Sequence, residues 1–132
     1  MGDERVTEAA EQAIDIDVKT RHMAEQSDAE QLRYAFAYTI RITNVGSVTA
    51  TLRARRWLIT DGDGRVEEVQ GAGVVGEQPR LQPGESFEYT SGAVLRTPVG
   101  TMEGFYRMET DGGETFDAPI PVFSLRVPGS FN

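Results

Sequence analysis

From Ile14 onward, apolar and polar residues alternate along the chain. Ile14, Ile16 and Val18 are separated by Asp15, Asp17 and Lys19, the period of a half-buried strand. The clearest run covers residues 34–43. Tyr34, Phe36, Tyr38, Ile40 and Ile42 share one face, and Ala35, Ala37, Thr39, Arg41 and Thr43 share the other. Large apolar side chains in strict alternation are the signature of a sheet core. Asn44-Val45-Gly46-Ser47 ends that strand, and residues 49–60 form the next. Asp61-Gly62-Asp63-Gly64, whose residues tolerate positive φ, turns the chain into a strand at residues 65–69. Residues 71–83 carry three glycines, two prolines and no periodicity, which predicts a loop closed by a Pro83-Gly84 turn. A short strand at residues 86–91 precedes a second loop at residues 92–100. Residues 101–110 and 115–118 flank Asp111-Gly112-Gly113-Glu114 as a hairpin. Pro119 and Pro121 permit only an edge or bent continuation before a last strand at residues 122–127. The expectation is an all-β antiparallel sandwich of about seven to eight strands, with a barrel as the alternative.

Residues 1–13 are polar and small and read as a flexible acidic N-terminal arm; residues 14–132 read as a single domain. With 13 Lys and Arg against 21 Asp and Glu, the net charge is −8. That balance argues against nucleic acid and anionic membrane surfaces as partners. The absence of cysteine removes disulfides, thiolate catalysis and zinc ribbons. No apolar run approaches the roughly 20 residues of a membrane span, and the first residues lack a signal-peptide core. A cytoplasmic protein without membrane insertion is expected.

Three segments carry a resemblance: RYAFAYTIRITNVG, then RRWLITDGDGRVEEVQGAGVVGEQPRLQPGESFEYTSG, then GTMEGFYRMETDGGETFDAPIPVFSL. Together they resemble the bacterial ApaG (CorD) family over about residues 14–127. The resemblance implies a sandwich of the fibronectin type III or immunoglobulin kind. It implies a link to cobalt resistance and magnesium efflux. Fusions of similar domains to F-box and polymerase-delta-interacting proteins imply an interaction module. Where this chain has Ala93 and Arg56, the family often has Cys and His, so metal binding through those positions is not expected here.

Gly71-Ala72-Gly73-Val74-Val75-Gly76 matches GxGxxG, but Pro79 and Pro83 follow where a dinucleotide-binding fold needs a helix. The resemblance implies pyrophosphate binding through this motif. In a helix-free version, bare N–H groups around Gly71, Gly73 and Gly76 would cradle phosphate, assisted by Arg80. The bland alternative is a structural loop. A third reading makes Val74 and Val75 an apolar contact on a surface loop. Arg53 and Arg55, with Arg56, form a basic cluster beside Trp57, the candidate core tryptophan. Either alternation register turns one of these arginines inward unless the strand is bulged, and an inward guanidinium needs carboxylate or carbonyl partners. Asp61-Gly62-Asp63-Gly64 lacks the sixth-position Gly and twelfth-position Glu of a calcium loop, having Val66 and Ala72 there. His22, the sole histidine, reads as a strand-end residue. Tyr89 reads as structural, with its hydroxyl on backbone, and Phe105 and Tyr106 should face opposite ways. No catalytic constellation, metal site or cofactor is expected. The function expected is a non-enzymatic protein-interaction or regulatory domain with an unidentified protein partner, as a monomer or weak homodimer. The alternative is a phosphate or pyrophosphate module at residues 71–76.

Overall fold

The alternation is realised as eight strands, seen in a computed structural model that describes residues 11–130. They are β1 (Ile14–His22), β2 (Tyr34–Asn44), β3 (Ala50–Asp61), β4 (Val66–Ala72), β5 (Arg80–Leu81), β6 (Ser86–Leu95), β7 (Val99–Thr110) and β8 (Thr115–Arg126). One antiparallel sheet has the order β1-β2-β6, the other β4-β3-β7-β8 with β5 paired to β3. Among the described residues no ladder joins the two sheets, so the fold is a sandwich and not a barrel. Two 3₁₀ turns, Ala24–Gln26 and Ala29–Gln31, occupy the polar connection before β2.

The core lies between the layers. Phe36, Ile40 and Ile42 of β2 are almost wholly buried, as the alternation requires. Leu52 and Trp57 of β3 and Met102, Tyr106 and Met108 of β7 meet them from the other sheet. Trp57 stands edge-on to Tyr38, Tyr106 and Phe123, a tilted packing that suits ring quadrupoles.

Three segments are more regular than their composition predicts. β6 runs on to Leu95, because Ala93 and Leu95 continue the inward face past Gly92. The expected loop at residues 92–100 therefore shrinks to a tight turn. β8 passes through Pro119 and Pro121 without ending, because it is an outer strand paired only to β7. A register shift opposite Glu103 absorbs the bend there. β4 extends to Ala72 and β5 begins at Arg80, so only residues 73–79 of the expected long loop are irregular. The assigned N-terminal arm lies, through residue 10, outside the described residues; beyond it, the Ala13 carbonyl accepts from Val45 N–H at 3.0 Å. No helix among the described residues is long and apolar enough to cross a membrane.

Candidate functional site

The arginine cluster is organised by a bulge. β3 pairs Leu52 with Met108 and Ala54 with Arg107, so Arg53 is the extra residue. The bulge changes the strand's parity. Leu52 and Trp57 both reach the core, and Arg53 is left exposed. Arg55 then shares the inward face with Trp57. Its guanidinium donates to the Ala72 carbonyl at 3.1 Å and the Gly73 carbonyl at 2.9 Å. Those carbonyls supply the partners an inward cation requires.

Arg55 explains the first glycine of the motif. A Cβ at Gly71 would stand 2.8 Å from the Arg55 guanidinium, which crosses over that position. Gly73 has φ +60°, and a Cβ there would overlap the Glu77 carbonyl. Gly76 has φ +82° and closes a two-residue hairpin with Val75. Val74 and Glu77 exchange backbone hydrogen bonds of 2.8 and 2.9 Å around that hairpin, a type I′ turn with positive φ at both central positions. The Gly73 N–H donates to the Arg53 carbonyl. The N–H groups of Gly73, Val74 and Glu77 are thus bonded to backbone carbonyls and are not bare to an anion.

The two valines separate. Both were expected on the surface, but Val74 is fully buried, packed in the core cluster that includes Leu52 and Leu81. The turn folds back over the end of the sandwich and is tied there through Arg53 and through Leu52 N–H to the Pro79 carbonyl. Val74 is therefore an anchor and unavailable to a partner. Val75 at the tip is 53% exposed with φ +42°. A β-branched residue rarely adopts that backbone conformation.

Arg53, Arg56 and Arg80, the other candidate basic groups, are held by carboxylates. Arg53 donates to Glu109 at 2.7 Å and to Gln78 at 2.9 Å. Arg56 pairs with Glu68 at 2.6 Å. Arg80 grips Asp111 through Nε and Nη2. That hydrogen bond, followed by charge, holds the Asp111 carboxyl below its ordinary range and Arg80 above its own. Gly71 thus lies near the end of β4, Gly73 and Gly76 lie in the turn that follows it, and Arg55 bonds the carbonyls of Ala72 and Gly73 between them, while Arg80 is committed to the β7–β8 hairpin. The carboxylate partners of Arg53 and Arg80 escaped the sequence reading because they come from segments distant in sequence, whereas Glu68 lies on the neighbouring strand β4. Their signal is register: Thr51 faces Glu109, beside the Arg53 bulge.

Tyr89 and Tyr106 form a buried pair, hydroxyl to hydroxyl at 2.5 Å. The expected backbone partner for Tyr89 is replaced by this cross-layer bond. Burial pushes both phenols far up, so both stay protonated at neutral pH. Phe105 and Tyr106 do face opposite ways, with Tyr106 buried and Phe105 on the outer surface beneath Arg107. His22 ends β1 and lies 3.2 Å from the Ser27 hydroxyl. Among the described residues no group of three or more His, Asp or Glu side chains is placed to hold a metal ion.

Residues 24–110 match the family model described as the ApaG domain. The chain is 57% identical over 119 residues to Protein ApaG of Pseudomonas putida, covering 90% of this chain and 94% of that one. It is 57% identical over 123 residues to Protein ApaG of Thiobacillus denitrificans, covering 93% and 97%. Its fold superposes on the crystal structure of an ApaA protein from Bordetella pertussis with a TM-score of 0.86 and 52% identity, covering 89% of this chain and 96% of that one.

Proposed function

The chain belongs to the ApaG domain family, and from that membership we propose that it is a non-enzymatic protein-interaction and regulatory domain whose contact point is the Val75 turn. The single observation that carries this reading is the pairing of strain with exposure at Val75. A type I′ turn favours Asn or Gly at its first central position. Valine there costs about 1–2 kcal/mol of backbone strain and leaves an apolar side chain in water. Strain at an exposed position supports a contact role, because Val75 lies outside the hydrophobic core cluster of the described residues. Val74 beneath it fixes the turn, so the tip is presented rigidly and a partner loses little entropy in engaging it. The link to cobalt resistance and magnesium efflux is read as indirect, through the partner's activity.

Affinity capture with the wild-type chain and a Val75→Asn variant tests this. The variant should stay folded and melt higher, yet recover less of the partner. Equal recovery by the two chains would remove Val75 from the contact.

A further inference from the structure

β6 is the least guarded outer strand of the sandwich. It pairs only with β2, so one edge of its backbone is open. The other outer strands carry features that discourage further pairing. β8 has Pro119, Pro121 and a bulge. β4 has Glu67 and Glu68. β1 has Asp15, Asp17, Lys19 and Arg21. β6 reads SFEYTSGAVL, with no proline and with Glu88 as its one charge.

Gly92 adds a second observation. It has no positive φ, and a Cβ there would meet nothing closer than the Phe36 carbonyl at 3.4 Å. Neither backbone conformation nor crowding within the chain requires glycine at the middle of this edge. A glycine inside a strand marks a place where another backbone comes close.

The outward side chains then identify the occupant. Glu88, Thr90, Gly92, Val94 and, one residue past the strand, Arg96 are exposed. This series is self-complementary when read antiparallel about Gly92. Gly92 meets Gly92 of the partner subunit, Thr90 covers Val94 of the partner subunit, and Glu88 faces Arg96 of the partner subunit. Arg96 makes no ion pair among the described residues, while Arg53, Arg56, Arg80 and Arg107 each hold a carboxylate. Glu88 stands opposite Arg41 on β2 without an ion pair between them. Val94 is 49% exposed in the single chain.

We infer that a second copy of this chain adds to the β6 edge, antiparallel and with its two-fold axis at Gly92, joining two three-stranded sheets into one of six strands. Opposite charges directly across a strand pair stabilise it and like charges oppose it. The dimer is separate from the Val75 contact, and its test does not depend on that reading.

Sedimentation equilibrium on the full chain reads the dimer, and charge reversal reads its register. Glu88→Arg and Arg96→Glu should each weaken association about tenfold, since each places two like-charged pairs across the axis. Combining them should restore association to within about threefold of wild type. The chain has no cysteine, so single-cysteine variants give a second reading. Gly92→Cys should cross-link on mild oxidation, because directly opposed Cα atoms lie within disulfide reach. Val94→Cys should not, because its copies are offset by about four residues, roughly 13 Å. A monomer at all concentrations would overturn the proposal and leave the edge to a foreign strand. So would additive losses in the charge swap, or Val94→Cys cross-linking as readily as Gly92→Cys.

Discussion

At Val75, φ is +42°, whereas a valine in ordinary loop backbone would have negative φ. Val75→Asn keeps the turn, removes the β-branch and supplies a short polar side chain that can hydrogen-bond locally in left-handed backbone, so it should stabilise the chain by about 1 kcal/mol. The melting temperature should then rise by roughly 3 °C. Gly73→Ala acts the other way. It adds both a positive-φ penalty and an overlap with the Glu77 carbonyl, and should cost about 2–3 kcal/mol by chemical denaturation. Gly112→Ala is the control. Its Cβ would meet only the Thr110 hydroxyl at 3.8 Å, so a change within about 0.5 kcal/mol is expected. If Gly73 tolerated alanine as well as Gly112 does, the turn would not have the tight geometry described. The sequence names both valines as surface candidates but cannot separate them. One residue decides which is anchor and which is tip, and outside a periodic element no alternation rule applies to that choice. Arg55 is more legible. The conflict between Trp57 and its neighbouring arginines already demands a bulge or a carbonyl-bonded guanidinium, and the protein uses both.

Between the layers, the Tyr89–Tyr106 bond joins β6 to β7. Removing one hydroxyl leaves the other buried without its partner, so Tyr89→Phe or Tyr106→Phe alone should cost about 1–3 kcal/mol. The double variant should cost less than the two singles together, with a coupling of about 1 kcal/mol; strict additivity would mean that the bond contributes nothing. Burial raises both phenols in the folded state, whereas an unfolded tyrosine ionises near about pH 10. Their contribution to stability is therefore intact below about pH 10 and falls as pH rises beyond it. Urea midpoints should decline above that pH in wild type and decline less in the double phenylalanine variant. At this scale the strands are mostly legible. β2 follows from strict alternation of large side chains, and the hairpin turns follow from Asp and Gly. The boundaries that the sequence misplaces share one cause: glycine and proline signal breaks that the strands do not make. Outer strands tolerate both residues, because one edge of their backbone has no ladder to interrupt.

For the whole molecule, a net charge of −8 sits on a surface where most of the mapped arginines are locked to carboxylates or carbonyls. Such pairs are weak individually, but they occupy the cations that an anion would need. The GxGxxG spacing is present, yet each of its glycines has a reason internal to the fold. Sequence spacing alone cannot distinguish a phosphate cradle from a tight turn that passes beneath an arginine, because both require glycine where backbone or side chain comes close. The account's central claim is that this turn presents Val75 for contact and does not grip an anion. The most direct test is to follow backbone amide NMR shifts while pyrophosphate is added, with inorganic phosphate as control. The account predicts no saturable shift at residues 71–80. A saturable shift confined to those residues with pyrophosphate, and absent with phosphate, would contradict it.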